Sequence, residues 1–285
     1  MPYLPAMTFS IVARSADGSA HGVAVASKFL AVGAAVPAAE ADVGALATQS
    51  YANLAYRPQG LALLRTGVSA AGAVAGLTAA DDGRAQRQLG IVGATGDGAT
   101  YTGDGCHDWA GGVAGDGYAI QGNILTGAEV VDAMEQAWLA AAATALALPE
   151  RLLATLAAGD EAGGDRRGRQ SAALLVVRPD GGYGGDDTEV ELRVDDHPTP
   201  VLELRRLRDL HRLYFGKPDP DTLVPLEGDV ATEVAQRLDA LGYRTLDDWA
   251  GVENYEERMV AGHIDPLVLD KLRQASDSER PVSDR

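Results

Sequence analysis

The sequence predicts an α+β fold, in which antiparallel sheets stack on one another with helices outside, followed by a small helical C-terminal module. Three observations carry this. Short β-rich runs separated by Gly/Asp turns recur along the first two hundred or so residues. The helical stretches come as two adjacent pairs, not in the one-for-one alternation with strands that marks a doubly wound parallel sheet. A Pro-rich stretch from Lys217 to Pro225 then separates these elements from a segment with helical patterning.

Taken in order, "TFSIVARS" is a β-rich strand, and the "ADGS" turn after it is a hairpin signal. "AHGVAVASKFLAVGAAVPA" reads as a strand, a break and a further strand, and "VGALATQS" as another buried strand. "RPQGLALLRTG" is a short helix with Pro in its first turn and Gly past its end, and "SAAGAVAGLTAAD" a second helix capped by Ser69. "RQLGIVGATGDGATYTGD" gives two strands about a Gly/Asp turn, and "DGYAIQGNIL" one more. "GAEVVDAMEQAWLAAA" and "LPERLLATLAAG" carry the strongest helical periodicity, with Val130, Met134, Ala137 and Trp138 on one and Leu152, Leu153 and Leu156 on the other. This pair is suited to cover an apolar sheet face. "QSAALLVVRP" and "EVELRVDD" return to strand.

A Leu-rich helix, Leu202 to Leu213, follows. It has two uses open to it, an interface in a homo-oligomer or packing on its own domain. The boundaries expected are 1–7 for an N-terminal extension or misassigned start, 8–200 for the main domain, 201–225 for a helix and Pro-rich linker, 226–275 for the helical module, and 276–285 for a disordered tail.

The bulk properties narrow the function classes. A net charge of −17 over 285 residues argues against a general binder of nucleic acid or anionic membrane. The one cysteine, Cys106, excludes an internal disulfide framework. "MPYLPAM" has no basic region and is too short for a secretory signal. "AWLAAAATALAL" is too short to span a bilayer. The expectation is a cytoplasmic protein. No cofactor is expected: "GDGYAIQGN" lacks the Lys of a phosphate loop and "GATGDG" does not meet the dinucleotide fingerprint. No metal site is expected either, because neighbouring Cys106, His107 and Asp108 point apart and no C-x-x-C or H-x-x-x-H occurs.

Thr8 has two readings, a β-branched strand residue or a nucleophile. Met7 stands directly before it. If the chain starts at Met7 and loses it, the Thr8 hydroxyl gains its own α-amine as base, with a pKa of about 7.7–8.0. Lys28 is the sole lysine before the linker and lies in an apolar run; it is either a solvated strand end or a cation that tunes that amine. Gln49, Ser50 and Asn53 in "ATQSYAN", and Gln121 and Asn123 in "IQGNIL", are amide and hydroxyl groups at strand ends. They are turn formers, or oxyanion or substrate ligands. In "GGDRRGRQSAALLV", Arg166, Arg167 and Ser171 form a polar cluster suited to a substrate carboxylate, or a solvated loop with local ion pairs.

The blocks "TFSIVARS", "GVAVASKFLAVGAAVP", "GALATQSYAN", "YTGDGCHDWAG", "QGNIL" and "GGDRRGRQSAALLVV" together resemble the DUF1028 family, assigned to the N-terminal nucleophile (Ntn) hydrolase superfamily. The resemblance runs from about Thr8 to about Val194. From about Leu202 to Arg273 the chain resembles a peptidoglycan-binding-like module. The first resemblance implies a four-layer αββα sandwich, Thr8 as nucleophile, and hydrolysis of an amide C–N bond in a small-molecule substrate through an acyl-enzyme, with Lys28 tuning the amine. The family begins at the equivalent Met-Thr, so "MPYLPA" is expected to be a misassigned start. The competing expectation is a non-catalytic small-ligand-binding protein on the same scaffold. A thiol enzyme using Cys106 is a third option, but no base or orienting group is placed around its sulfur by the sequence.

Overall fold

The computed structural model describes residues 8–144 and 146–278, so the expected extension (1–7) and the end of the expected tail (279–285) lie outside the described residues. The fold is mixed α/β with antiparallel sheets and a helical C-terminal region. The chain divides into two compact units, residues 1–207 and 208–285.

In the first unit the order is β1 (Thr8–Arg14), β2 (His21–Ser27), α1 (Val32–Ala35), β3 (Pro37–Glu40), β4 (Gly44–Ser50), α2 (Tyr56–Arg65) and α3 (Ala70–Ala79). There follow β5 (Arg87–Gly93), β6 (Gly98–Thr102), β7 (Gly111–Gly115), β8 (Tyr118–Asn123), α4 (Glu129–Ala141), α5 (Leu148–Glu161), β9 (Ser171–Val177), β10 (Thr188–Val194) and the start of α6 (Pro200–Phe215). Six strands form one antiparallel sheet in the order β10-β9-β2-β1-β8-β7, and four form a second in the order β3-β4-β5-β6. Every expected strand and helix is present. The break after β2 holds the short α1, and β7 is a strand that propensity alone does not suggest, since three of its five residues are Gly. Its glycines are required by packing. A Cβ on Gly112 would stand 2.6 Å from the Ile120 carbonyl oxygen, and one on Gly111 2.7 Å from the Trp109 indole.

Side-chain alternation along each strand separates two environments. On β1, Phe9, Ile11 and Ala13 join a cluster with α4 and α5 that includes Met134, Trp138, Leu152 and Leu156. The expected stripes supply these contacts through Val130, Met134 and Trp138 on α4 and Leu152, Leu153 and Leu156 on α5, whereas Ala137 is half-buried and outside the cluster. Val12 points the other way and meets Val23, Val25, Ala45, Ala47, Val92 and Ala119, a cluster shared by both sheets. The far face of the four-stranded sheet, with Leu46, Leu89 and Ile91, packs on Tyr56 and Leu64 of α2 and Ala73 and Leu77 of α3. Each fully buried large side chain here contributes about 1.5–3 kcal/mol. Ser69 caps α3 as expected, its Oγ accepting from Gly72 N at 3.1 Å.

The Leu-rich helix is α6. Leu204 belongs to the core of the first unit and Leu213 to that of the second. The second unit continues with β11 (Val224–Pro225), α7 (Gly228–Ala240), α8 (Leu246–Glu253), β12 (His263–Ile264) and α9 (Pro266–Ser278). The Pro-rich stretch is not purely extended: residues 220–222 make a 3-10 turn, and β11 pairs with β12. Residues 276–278, expected in the tail, complete α9 instead, with Ser276 buried. Trp249, Tyr255, Leu238 and Leu272 fill this smaller core. Arg258 and Asp265 are buried within it as an ion pair, Nη1 to Oδ2 at 2.5 Å. Among the described residues no helix is long and apolar enough to cross a membrane.

Candidate active site

The inward positions of four strands change character along their length. Toward one end, where Val12 lies on β1, they are apolar. Toward the other they are Thr8 and Ser10 on β1, Gln49 on β4, Gln88 on β5, and Gln121 and Asn123 on β8, all essentially inaccessible to water. A buried polar group is tolerated only with a partner, and these partner one another across the two sheets. Gln49 Nε2 donates to the Thr8 carbonyl oxygen (3.2 Å), to Gln88 Oε1 (2.8 Å) and to the Gln121 carbonyl oxygen (3.3 Å). Ser10 Oγ donates to Gln49 Oε1 and receives Gln121 Nε2, both at 2.6 Å. Asn123 Nδ2 donates to Gln88 Oε1 (3.0 Å) and to the Thr8 carbonyl oxygen (3.4 Å). Gln88 Nε2 reaches the Gly122 carbonyl oxygen (2.7 Å) and Thr102 Oγ1 (2.9 Å). Gln121 Oε1 and Asn123 Oδ1 are buried with no donor among the described residues.

Thr8 opens β1, a strand in the middle of the six-stranded sheet, opposite Ser27 on one side and Asn123 on the other. Its Oγ1 lies 3.2 Å from Ser27 Oγ. Thr8 and Gln49 also line a cavity of about 370 Å³. One wall is the segment after β2, with Phe29, Val32, Ala35 and Val36; the other is the end of β4 and the segment after it, with Ser50, Tyr51, Ala52 and Leu54.

Each wall is fixed by a polar anchor. Ser171 donates its hydroxyl to the Phe29 carbonyl oxygen and accepts from Val32 N (3.1 Å). Buried Asp165 accepts from Lys28 N (2.6 Å) and Arg167 N (2.9 Å). On the other wall, Asp81 accepts on Oδ2 from Asn53 Nδ2, Tyr56 Oη and Arg87 Nε, each at 2.9 Å, and on Oδ1 from Gly83 N at 2.7 Å. Arg87, chiefly, holds the Asp81 carboxyl well below the usual carboxylate range, while burial and then Asp81 push the Tyr56 phenol up. Arg87 Nη1 donates to the Tyr51 carbonyl oxygen at 2.6 Å, closing the anchor onto the wall. Ser50 turns the chain out of β4 with φ of 65°, a left-handed conformation rare for a non-glycine residue.

The structure therefore brings together Thr8, Gln49, Gln121 and Asn123, with Asn53 and Ser171 one step out as wall anchors. Lys28 is exposed, and its Nζ donates to the Arg169 carbonyl oxygen at 3.3 Å. Arg166 is exposed, and Arg167 pairs with Asp165 at 3.3 Å; neither lines the cavity. Burial, above all, pushes the Cys106 thiol up, and its Sγ donates to the Arg87 carbonyl oxygen. Ser10, Ser27, Asp81 and Gln88 were not singled out from the sequence. Ser10 and Ser27 had a usable signal, since Ser10 shares the face of Thr8 two residues on and Ser27 directly precedes Lys28. Asp81 and Gln88 had none.

The model of the family described as "Family of unknown function (DUF1028)" matches residues 8–204. The chain belongs to the DUF1028 family. The match begins at Thr8, the residue at the floor of the cavity. A second family model, "Putative peptidoglycan binding domain", matches residues 214–272 of this DUF1028 chain. It is also similar to a solved DUF1028 structure, the crystal structure of protein SPO2555 from Silicibacter pomeroyi, at 30% identity and a TM-score of 0.65, covering 89% of this chain and 100% of that one. No curated protein matches it.

Proposed function

We propose that this chain is an N-terminal-nucleophile amidohydrolase that cleaves a small-molecule amide through an acyl-enzyme on Thr8. The observation that carries the reading is the placement of Thr8, with its carbonyl oxygen clamped by Gln49 and Asn123, its hydroxyl beside Ser27, and a cavity in front of it. The apolar clusters support the four-layer αββα arrangement that belongs to this reading. With residues 1–7 removed, the Thr8 α-amine accepts the hydroxyl proton as Oγ1 attacks the amide carbonyl. The amine then returns that proton to the leaving nitrogen, and water cleaves the ester so formed. Asn123 pairs with Thr8 across the sheet, and its buried Oδ1, which has no donor among the described residues, is an acceptor we assign to the new amine. Ser27 is a positioning residue that orients Oγ1.

The test is an intact-mass measurement of the purified protein before and after treatment with p-nitrophenyl hexanoate, on wild type and Thr8→Ala. The expected result is a chain beginning at Thr8, a single acyl adduct on it, and none on a folded Thr8→Ala. A Thr8→Ala protein that still turns over the ester at the wild-type rate refutes the reading. One observation favours the alternative of a non-catalytic ligand-binding protein: Thr8 is only 1% exposed, and the Gln49 and Asn123 donors are engaged within the protein. A free cavity ligand without any adduct would favour that alternative.

A further inference from the structure

Building on the Thr8 reading, we propose that the molecule cleaved is uncharged and presents an aliphatic or aromatic group to the cavity, where Phe29 and Leu54 select it. Apart from Thr8, Gln49, Ser50, the Tyr51 hydroxyl and Arg87, the residues lining the cavity are apolar: Phe29, Val32, Ala35, Val36, Ala52 and Leu54. Among the described residues one charged side chain, Arg87, lines it, and two of its nitrogens are already bound, Nε to Asp81 and Nη1 to the Tyr51 carbonyl oxygen. The arginines expected to read a carboxylate are elsewhere: Arg167 is on Asp165, and Arg166 does not line the cavity. A carboxylate entering here would meet only a guanidinium already paired with Asp81, so its desolvation would go uncompensated, which a site avoids by excluding it. The net charge of −17 adds a general repulsion of anions.

The walls are also held in place rather than collapsed. Ser171 holds the Phe29–Val32 turn, and the Asp81 cluster holds residues 51–56. Phe29 is 42% exposed and Leu54 49%, and the two stand on opposite walls of the cavity that Thr8 lines. A ligand that covers both removes that apolar surface from water and brings its amide to Thr8. A preformed apolar pocket with a few convergent polar groups fits a small uncharged molecule.

The experiment titrates hexanamide, hexanoate and acetamide into the purified full chain by calorimetry and ligand-observed NMR, with Leu54→Arg and Phe29→Ala alongside. The expected order is hexanamide first, with hexanoate and acetamide each about tenfold weaker or more. Leu54→Arg, at a half-exposed position that tolerates a long side chain, is expected to narrow or reverse the hexanamide–hexanoate ratio with its circular dichroism unchanged. Hexanoate binding as tightly as hexanamide, no hexanamide binding at millimolar concentration, or a ratio unmoved by Leu54→Arg would each overturn the proposal. Thr8→Ala separates the two claims. If it keeps the hexanamide preference and also keeps wild-type ester turnover, the nucleophile assignment fails and the ligand class stands. If it is inactive while wild type prefers hexanoate, the ligand class fails and the nucleophile stands.

Discussion

Replacing Asp81 by Ala removes the acceptor for four hydrogen bonds at once: those from Asn53, Tyr56, Arg87 and Gly83. The Asp81 and Arg87 side chains are 11% and 21% exposed, so the guanidinium left behind is mostly desolvated. Breaking a buried pair costs about 3–5 kcal/mol, and the partial water access of Arg87 places the ionic part near 3. The neutral donors Asn53 and Tyr56 add about 1 kcal/mol each where water cannot replace the acceptor. The expected loss is about 3–5 kcal/mol, which at a urea slope of about 1–3 kcal/mol/M moves the midpoint by about 1–5 M. Because the chain has two compact units, hydrogen exchange of β4 and β5 peptides should be followed through the transition, so that the first unit is read by itself. The pH dependence has a definite sign. The Asp81 carboxyl is depressed in the folded state, so its stabilisation is full above about pH 5 and fades as pH falls through and below the usual carboxylate range near 3.9. The gap between wild type and variant should narrow in acid. A loss below about 1 kcal/mol at neutral pH, or a gap that widens in acid, would refute the assignment of Asp81 as the anchor of the wall.

Three further outcomes can be measured in the same way. Ser171→Ala leaves buried Val32 N without its acceptor and should cost about 1–3 kcal/mol, with hexanamide affinity falling alongside; unchanged affinity would separate this anchor from the cavity. Gly90→Ala would place a Cβ 2.0 Å from Gln121 Oε1, inside a network that holds Gln121 Nε2 on Ser10, and should cost about 1–3 kcal/mol by urea melt. In the second unit, Asp265→Ala should cost about 3–5 kcal/mol by leaving Arg258 buried and unpaired, while Arg258→Met with Asp265→Leu should recover most of it, read by Trp249 fluorescence.

Local signals made most of the elements legible. The "ADGS" turn between β1 and β2, the Ser69 cap and the apolar stripes of α4 and α5 each encode their own conformation within a few residues. β7 escaped because its glycines answer to Ile120 and Trp109 rather than to strand propensity. At the site, Thr8 was legible from its context after Met7, and Gln49, Gln121 and Asn123 from their place at strand ends. Their partners were not, because Gln88 matters only once β5 lies beside β4 and faces β8. The arginine cluster was misleading for a physical reason: Arg167 and Arg169 each have an acidic neighbour, Asp165 and Asp160, close enough in sequence to neutralise them at home.

The amide network that clamps Thr8 has a kinetic consequence. Its hydrogen bonds join residues 41 and 115 positions apart for the Thr8 carbonyl and 111 apart for Ser10 with Gln121. Contacts of such separation close large loops and form late in folding. A slip of one residue in any of these strands would also turn its glutamine or asparagine to the opposite face. The surroundings of Thr8 are thus complete only in a chain that has threaded both sheets in the right frame, and every partly folded state that precedes it lacks the constellation on which the proposed mechanism depends.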